Sequence, residues 1–179
     1  SIISEADEDI AHATRLSAAF EKIATKITPS VVNITATTKP TSARTSRRAP
    51  DPFLEQFRHF FGDEFLERFN TPDGGMPRTG MGTGVIISGK GEILTNNHVI
   101  QRADQINVKL SDGRTVKAKV VGTDPRTDLA VIKIEAKNIV PAVLGDSDSL
   151  KVGEWVIAAG NPFGFENTIT AGIVSAKGR

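Results

Sequence analysis

Between Ile106 and Ile134 the chain reads INVKLSDGRTVKAKVVGTDPRTDLAVIKI. Three runs rich in β-branched residues stand in it: Ile106–Leu110, Thr115–Val121 and Leu129–Ile134. Ser111-Asp112-Gly113 and Asp124-Pro125-Arg126 part them, and both are turn formers. Short β-rich runs closed by tight turns predict an antiparallel barrel or sandwich. The pattern continues outward in both directions. Gly84–Ile87 and Glu92–Thr95 precede it, joined by Ser88-Gly89-Lys90-Gly91, and Trp155–Ala159 and Thr168–Ser175 follow. No βαβ unit, phosphate loop or internal repeat interrupts the series.

Upstream, residues 30–38 (SVVNITATT) are β-branched and alternating, which predicts one more strand. Before it, Leu16, Phe20, Ile23, Ala24 and Ile27 recur at helical spacing, the stripe of an amphipathic helix. Pro29 biases Thr28 away from helical backbone and should stop that helix. Residues 39–52 hold three Pro and four basic residues and read as a loop. Residues 53–69 then carry six of the chain's nine Phe at spacings that favour a helix with one aromatic face. Such a helix either packs on its own domain or docks on a partner through an exposed apolar patch.

The expected organisation is an N-terminal segment over 1–28 followed by the antiparallel barrel or sandwich, with a loop insert at 39–80. The 179 residues, 39% hydrophobic and 24% charged, suit one soluble domain or one domain and part of another. Cysteine is absent, which excludes thiol catalysis, disulfide frameworks and Cys-based metal sites. A net charge of +1 supplies no global field toward nucleic acid or anionic lipid. No apolar run is long enough for a transmembrane helix. The chain opens at Ser1 with no initiator Met and no cationic start, which reads as a mature or trimmed product.

Three histidines could carry chemistry. His12 lies in the amphipathic helix and His59 in the Phe-rich segment, and neither has a partner at metal-site spacing. Both read as solvated surface residues. His98 stands at the end of a strand and the start of a turn in Thr95-Asn96-Asn97-His98-Val99, where a structural histidine is by itself the better reading. Its context is Thr123-Asp124-Pro125-Arg126-Thr127-Asp128-Leu129, where Asp128 directly precedes an apolar strand. A partly buried carboxylate there needs a partner, and a histidine N–H is a natural one. The carboxylate would fix the ring tautomer and stabilise the imidazolium. The competing reading of Asp128 is a turn residue capping backbone N–H groups, which is also the better reading of Asp124.

Several ordered motifs carry a more specific likeness. Gly82-Thr83-Gly84-Val85-Ile86-Ile87, Thr95-Asn96-Asn97-His98-Val99, Asp124–Val131, Gly145-Asp146-Ser147, Gly160-Asn161-Pro162-Phe163-Gly164 and Gly172-Ile173-Val174-Ser175 follow one another. Together they resemble the HtrA (Deg, or peptidase Do) family of serine endopeptidases. The likeness is close over about residues 80–179 and looser over 14–38. It implies a trypsin-like antiparallel double barrel, with the first barrel complete over 29–140, loop insert 39–80 included, and the second only begun in a linker and opening strands over 141–179. It also implies His98 as general base and Asp128 as its orienting acid. The 53–69 insert would match the long loop that reaches a neighbouring active site, and the 16–27 helix would make oligomer contacts.

The nucleophile is the departure. In the family it stands in Gly-Asn-Ser-Gly-Gly, and none of the serines at 1, 4, 17, 30, 42, 46, 88, 111, 147, 149 and 175 has that setting. Ser147 sits in Gly145-Asp146-Ser147-Asp148, where flanking carboxylates would oppose an oxyanion. The expectation is therefore a chain that ends ahead of its serine and is inactive alone. As part of a longer protein it would be a periplasmic endopeptidase, mature after signal removal, that degrades unfolded or misfolded polypeptides. Its partners would be those substrates and further copies in a trimer-based homo-oligomer, built through the N-terminal segment and the Phe-rich loop. No cofactor, metal or nucleic acid is expected. The alternative is a non-catalytic module that binds protease subunits or unfolded chains.

Overall fold

In a computed structural model of the protein, which describes residues 2–38, 78–160 and 168–178, the alternating strands close on themselves. They are β1 (Val31–Thr38), β2 (Arg78–Ile86), β3 (Glu92–Asn96), β4 (Gln105–Lys109), β5 (Thr115–Asp124) and β6 (Leu129–Ile134). Their order around a closed barrel is β1-β2-β3-β6-β5-β4. The neighbours pair antiparallel, with Ile34 opposite Val108, Ile93 opposite Ile132 and Ala118 opposite Ile134. Residues 2–38 and the described residues from 79 onward belong to one compact unit. The expected 39–52 loop and the Phe-rich 53–69 segment, His59 included, lie outside the described residues, as does Asn161-Pro162-Phe163-Gly164.

Alternation decides what fills the barrel. Side chains two apart share one face of a strand, so Val32, Ile34 and Ala36 point inward together with Ile106 and Val108, and with Ala130, Ile132 and Ile134. Ile86, Ile93, Ile100 and Leu110 complete the core. Burying each of these Val and Ile side chains contributes about 1.5–3 kcal/mol. The buried Thr95 hydroxyl donates to the Thr83 carbonyl at 2.7 Å, which keeps the core face of β3 free of an unmet polar group.

Three elements depart from the pattern as read. β2 begins at Arg78, well before Gly84, because its glycines serve close approach. A β-carbon on Gly84 would lie 2.6 Å from Ile93 Cγ2 and 2.8 Å from Ile34 Cδ1. β5 runs on to Asp124 through a register shift between Val120 and Gly122. Between β3 and β4 the chain makes a one-turn helix, α2 (Asn97–Ile100), where only a turn was expected.

Helix α1 (Ile2–Ile27) precedes the barrel and passes into a 3-10 turn at Thr28–Ser30, so it ends where Pro29 predicts. Phe20 meets Trp155 edge to face, ring centroids 5.3 Å apart. Leu16 and Ile23 of the same stripe remain 41% and 44% exposed. After β6, the Ala142 N–H donates to the Ile86 carbonyl, fastening the following segment to β2. β7 (Trp155–Gly160) and β8 (Thr168–Ile173) then pair antiparallel as a two-stranded sheet of their own. Lys177 Nζ donates to the carbonyls of Asp148 and Leu150, pinning the chain after β8 to the segment before β7.

Candidate active site

The end of β3 and the start of β6 lie side by side, Asn96 opposite Leu129, and this register brings His98 to Asp128. β3 turns directly into α2, whose first backbone N–H groups have no helical partner. Asp128 supplies the acceptors from the neighbouring strand. Its backbone carbonyl accepts the Asn97 N–H at 3.0 Å, and its Oδ1 accepts the His98 N–H at 2.9 Å. A carboxylate at a helix N-terminus also meets the positive end of the peptide dipoles. The other oxygen, Oδ2, lies 2.6 Å from His98 Nδ1. Asp128 therefore caps the turn that carries the histidine and holds the histidine ring as well. The two roles that the sequence left in competition are both filled by one side chain.

Asp128 reaches this position with φ +56°, the left-handed region that aspartate tolerates better than most residues. Burial is the strongest single influence on its carboxyl and pushes it up. The His98 backbone N–H, the His98 ring and Asn96 together outweigh burial and hold the carboxyl below its ordinary 3.8. The carboxylate is then an acceptor, so Nδ1 carries the proton and Nε2 becomes the basic ring nitrogen. Both side chains stay partly open, 36% exposed for His98 and 41% for Asp128. The arrangement suits proton transfer at Nε2, with Asp128 steadying the imidazolium that forms.

The turn before Asp128 is built by Asp124. Its Oδ1 accepts the Arg126 N–H at 3.0 Å and its Oδ2 the Thr127 hydroxyl at 2.9 Å, so it acts as the turn residue expected of it. Behind the histidine, Val99 fills the space beside Gly82, and Ile100 is buried in the core. Ser147 opens an exposed 3-10 turn, Ser147–Ser149, which Asp146 caps through the Asp148 N–H. His12 lies exposed on α1. Among the described residues no group of three or more His, Asp or Glu is placed to hold a metal ion, and no helix is long and apolar enough to cross a membrane.

Two contributors escaped the sequence reading. Asn96 donates through Nδ2 to Asp128, and Gly82 admits Val99. Both stand in motifs already quoted, but their roles depend on which strands become neighbours. A hint was available in the polar Asn96-Asn97 pair directly after a buried strand, since such residues need partners.

A model of the trypsin-like peptidase domain matches residues 82–179. The probable periplasmic serine endoprotease DegP-like of Marinomonas sp. (strain MWYL1) is 49% identical over 166 residues, which are 89% of this chain and 35% of that protein. Its counterpart in Pseudomonas putida (strain GB-1) is 47% identical over 167 residues, again 89% and 35%. The chain thus spans about a third of the length of these relatives. Among solved structures, the HtrA-type protease AlgW with tripeptide superposes with a TM-score of 0.66 at 36% identity, over 89% of this chain and 40% of that one. The serine endoprotease from Yersinia pestis gives 0.62 at 32% identity, over 89% and 45%. The barrel topology and these likenesses agree, and the chain belongs to the trypsin-like peptidase family, among its HtrA/Deg members.

Proposed function

We propose that this chain carries the general-base side of a periplasmic serine endopeptidase that degrades unfolded or misfolded polypeptides. The observation that carries the reading is the 2.6 Å contact of His98 Nδ1 with Asp128 Oδ2, made while the same carboxylate holds the His98 backbone N–H. In the reaction, His98 Nε2 takes the proton of an attacking serine hydroxyl and later delivers it to the leaving amine. Asp128 stays ionised throughout. No serine of this chain has the glycine setting that an oxyanion hole needs, so the nucleophile lies outside these 179 residues and the chain alone is inert. The names of the relatives support the periplasmic location. The division into a barrel unit over 29–140 and the start of a second over 141–179 belongs to the same proposal.

The test is casein hydrolysis by the protein expressed from the complete gene. Cleavage is expected from that protein, with loss of activity in His98→Ala and none in the 179-residue chain. Full turnover by His98→Ala, or turnover by the short chain, would overturn the proposal.

A second reading is favoured by the half-open stripe of α1. Leu16 and Ile23 leave apolar surface on the helix that meets Trp155, which suits a module that binds other copies or unfolded chains without chemistry. Light scattering after size exclusion tests it. A trimer-based assembly is expected if this face is an interface, and a monomer at high concentration with no affinity for unfolded casein removes it.

A further inference from the structure

Asn96 stands at the N-cap position of α2, yet its side chain makes no capping bond there. It crosses to the turn just before β6, where Nδ2 donates to the Asp128 backbone carbonyl and to Asp128 Oδ2, each at 3.2 Å. The opposite amide orientation would set oxygen against two acceptor oxygens, so the donor must face Asp128. The two hydrogens of one amide group thus tie the main chain and the side chain of a single residue. That residue has φ +56°, a conformation that backbone sterics disfavour and that its surroundings must hold. The oxygen that Asn96 grips is also the one that meets His98 Nδ1.

We propose that Asn96 is a positioning residue: by bridging the carbonyl and Oδ2 of Asp128 it locks the carboxylate in the orientation that receives the His98 ring. The inference rests on the reading of His98 and Asp128 as a base and its orienting acid. The His98 N–H alone anchors only Oδ1, which leaves the carboxylate free to swing about that bond. The Asn96 amide closes off the swing from the other oxygen. The donated hydrogen bond also helps to hold the Asp128 carboxyl below its ordinary value.

The experiment is NMR of the 179-residue chain labelled at histidine nitrogens and aspartate carboxyls. In the unmodified chain the His98 Nδ1 proton should resonate far downfield, as the 2.6 Å contact with Asp128 Oδ2 requires. Asn96→Ala should broaden or lose that signal and move the Asp128 titration upward, toward its ordinary value. Asn96→Asp, equal in shape but with its donor replaced by a like charge, should lose the signal outright. Asn96→Gln keeps an amide and should recover part of it.

In the protein from the complete gene, Asn96→Ala should lower kcat on the order of tenfold to a hundredfold with little change in KM. A merely structural role would lower the melting temperature and leave both His98 and Asp128 signals unmoved in the folded variant. That result overturns the proposal, and if Asn96→Ala does not fold, an unchanged Nδ1 signal in a folded Asn96→Asp overturns it equally. The two readings fail separately. If His98→Ala retains casein cleavage, the functional reading falls. If Asn96→Ala leaves the Nδ1 proton intact while His98→Ala abolishes cleavage, only the positioning role falls.

Discussion

Val99 occupies the space that a side chain on Gly82 would need: a β-carbon built there would lie 2.6 Å from both Val99 methyl carbons. Gly82 belongs to β2 and Val99 follows His98, so this bare position sets how near the histidine turn can lie to the barrel wall. Gly82→Ala should force Val99 outward and carry His98 away from Asp128. A loss of about 1–3 kcal/mol is expected from overpacking, together with loss of the downfield Nδ1 proton. Urea unfolding and one proton spectrum check both. A Gly82→Ala chain of unchanged stability with the Nδ1 proton in place contradicts the account.

Acid should undo the site in a defined window. Asp128, Asp112 and Asp124 all have carboxyls held below their ordinary 3.8. Asp112 is lowered chiefly by the Arg114 side chain, and Asp124 chiefly by the Thr127 hydroxyl. For such groups the unfolded chain binds protons first as pH falls, so their contribution is complete above the unfolded value and is lost on passing down through the folded one. Urea midpoints between about pH 6 and about pH 2 should therefore be level at the upper end and fall below about pH 4. Asp128→Asn should flatten part of that slope. A midpoint that rises on acidification would contradict the assignment.

Core and surface of the barrel should respond differently to the same truncation. Ile132 is fully buried between β3 and β5, and Ile132→Ala should destabilise by about 2–5 kcal/mol. Val121 is exposed on β5, and Val121→Ala should stay within about 0.5 kcal/mol. Equal losses in urea denaturation would argue against the inward face assigned to β6.

Trp155 reports on the second sheet. It is 58% exposed, and Phe20 covers one edge of its ring. Its emission should be red-shifted and readily quenched by acrylamide, more so in Phe20→Ala. If copies associate through this face, the emission should move to the blue as concentration rises. A blue, quencher-resistant signal at every concentration would show that the indole is already enclosed in the single chain.

The sequence is a good guide where one strand suffices and a poor one where two must meet. Leu129–Ile134 was legible to the residue because an apolar, β-branched run there follows directly on the Asp124–Asp128 turn, and Pro29 placed the end of α1. Arg78–Gly82 was not legible, since a glycine-rich stretch has no inward face to display; its reason is Val99, distant in sequence. His98 and Asp128 were found through motif likeness, while the capping role of Asp128 had to await the register of β3 on β6. Asn96 was missed for the same cause: an exposed polar residue at a strand end resembles many others until its neighbour is known.

The closure of the barrel has a consequence for how the protein is made. Every bond between His98 and Asp128 is contained in a sheet that is finished at Ile134, ahead of β7 and β8. Chains are synthesised from the N-terminus, and domains generally fold as units in that order. The contact between His98 and Asp128 can therefore be in place while β7 and β8 are still emerging.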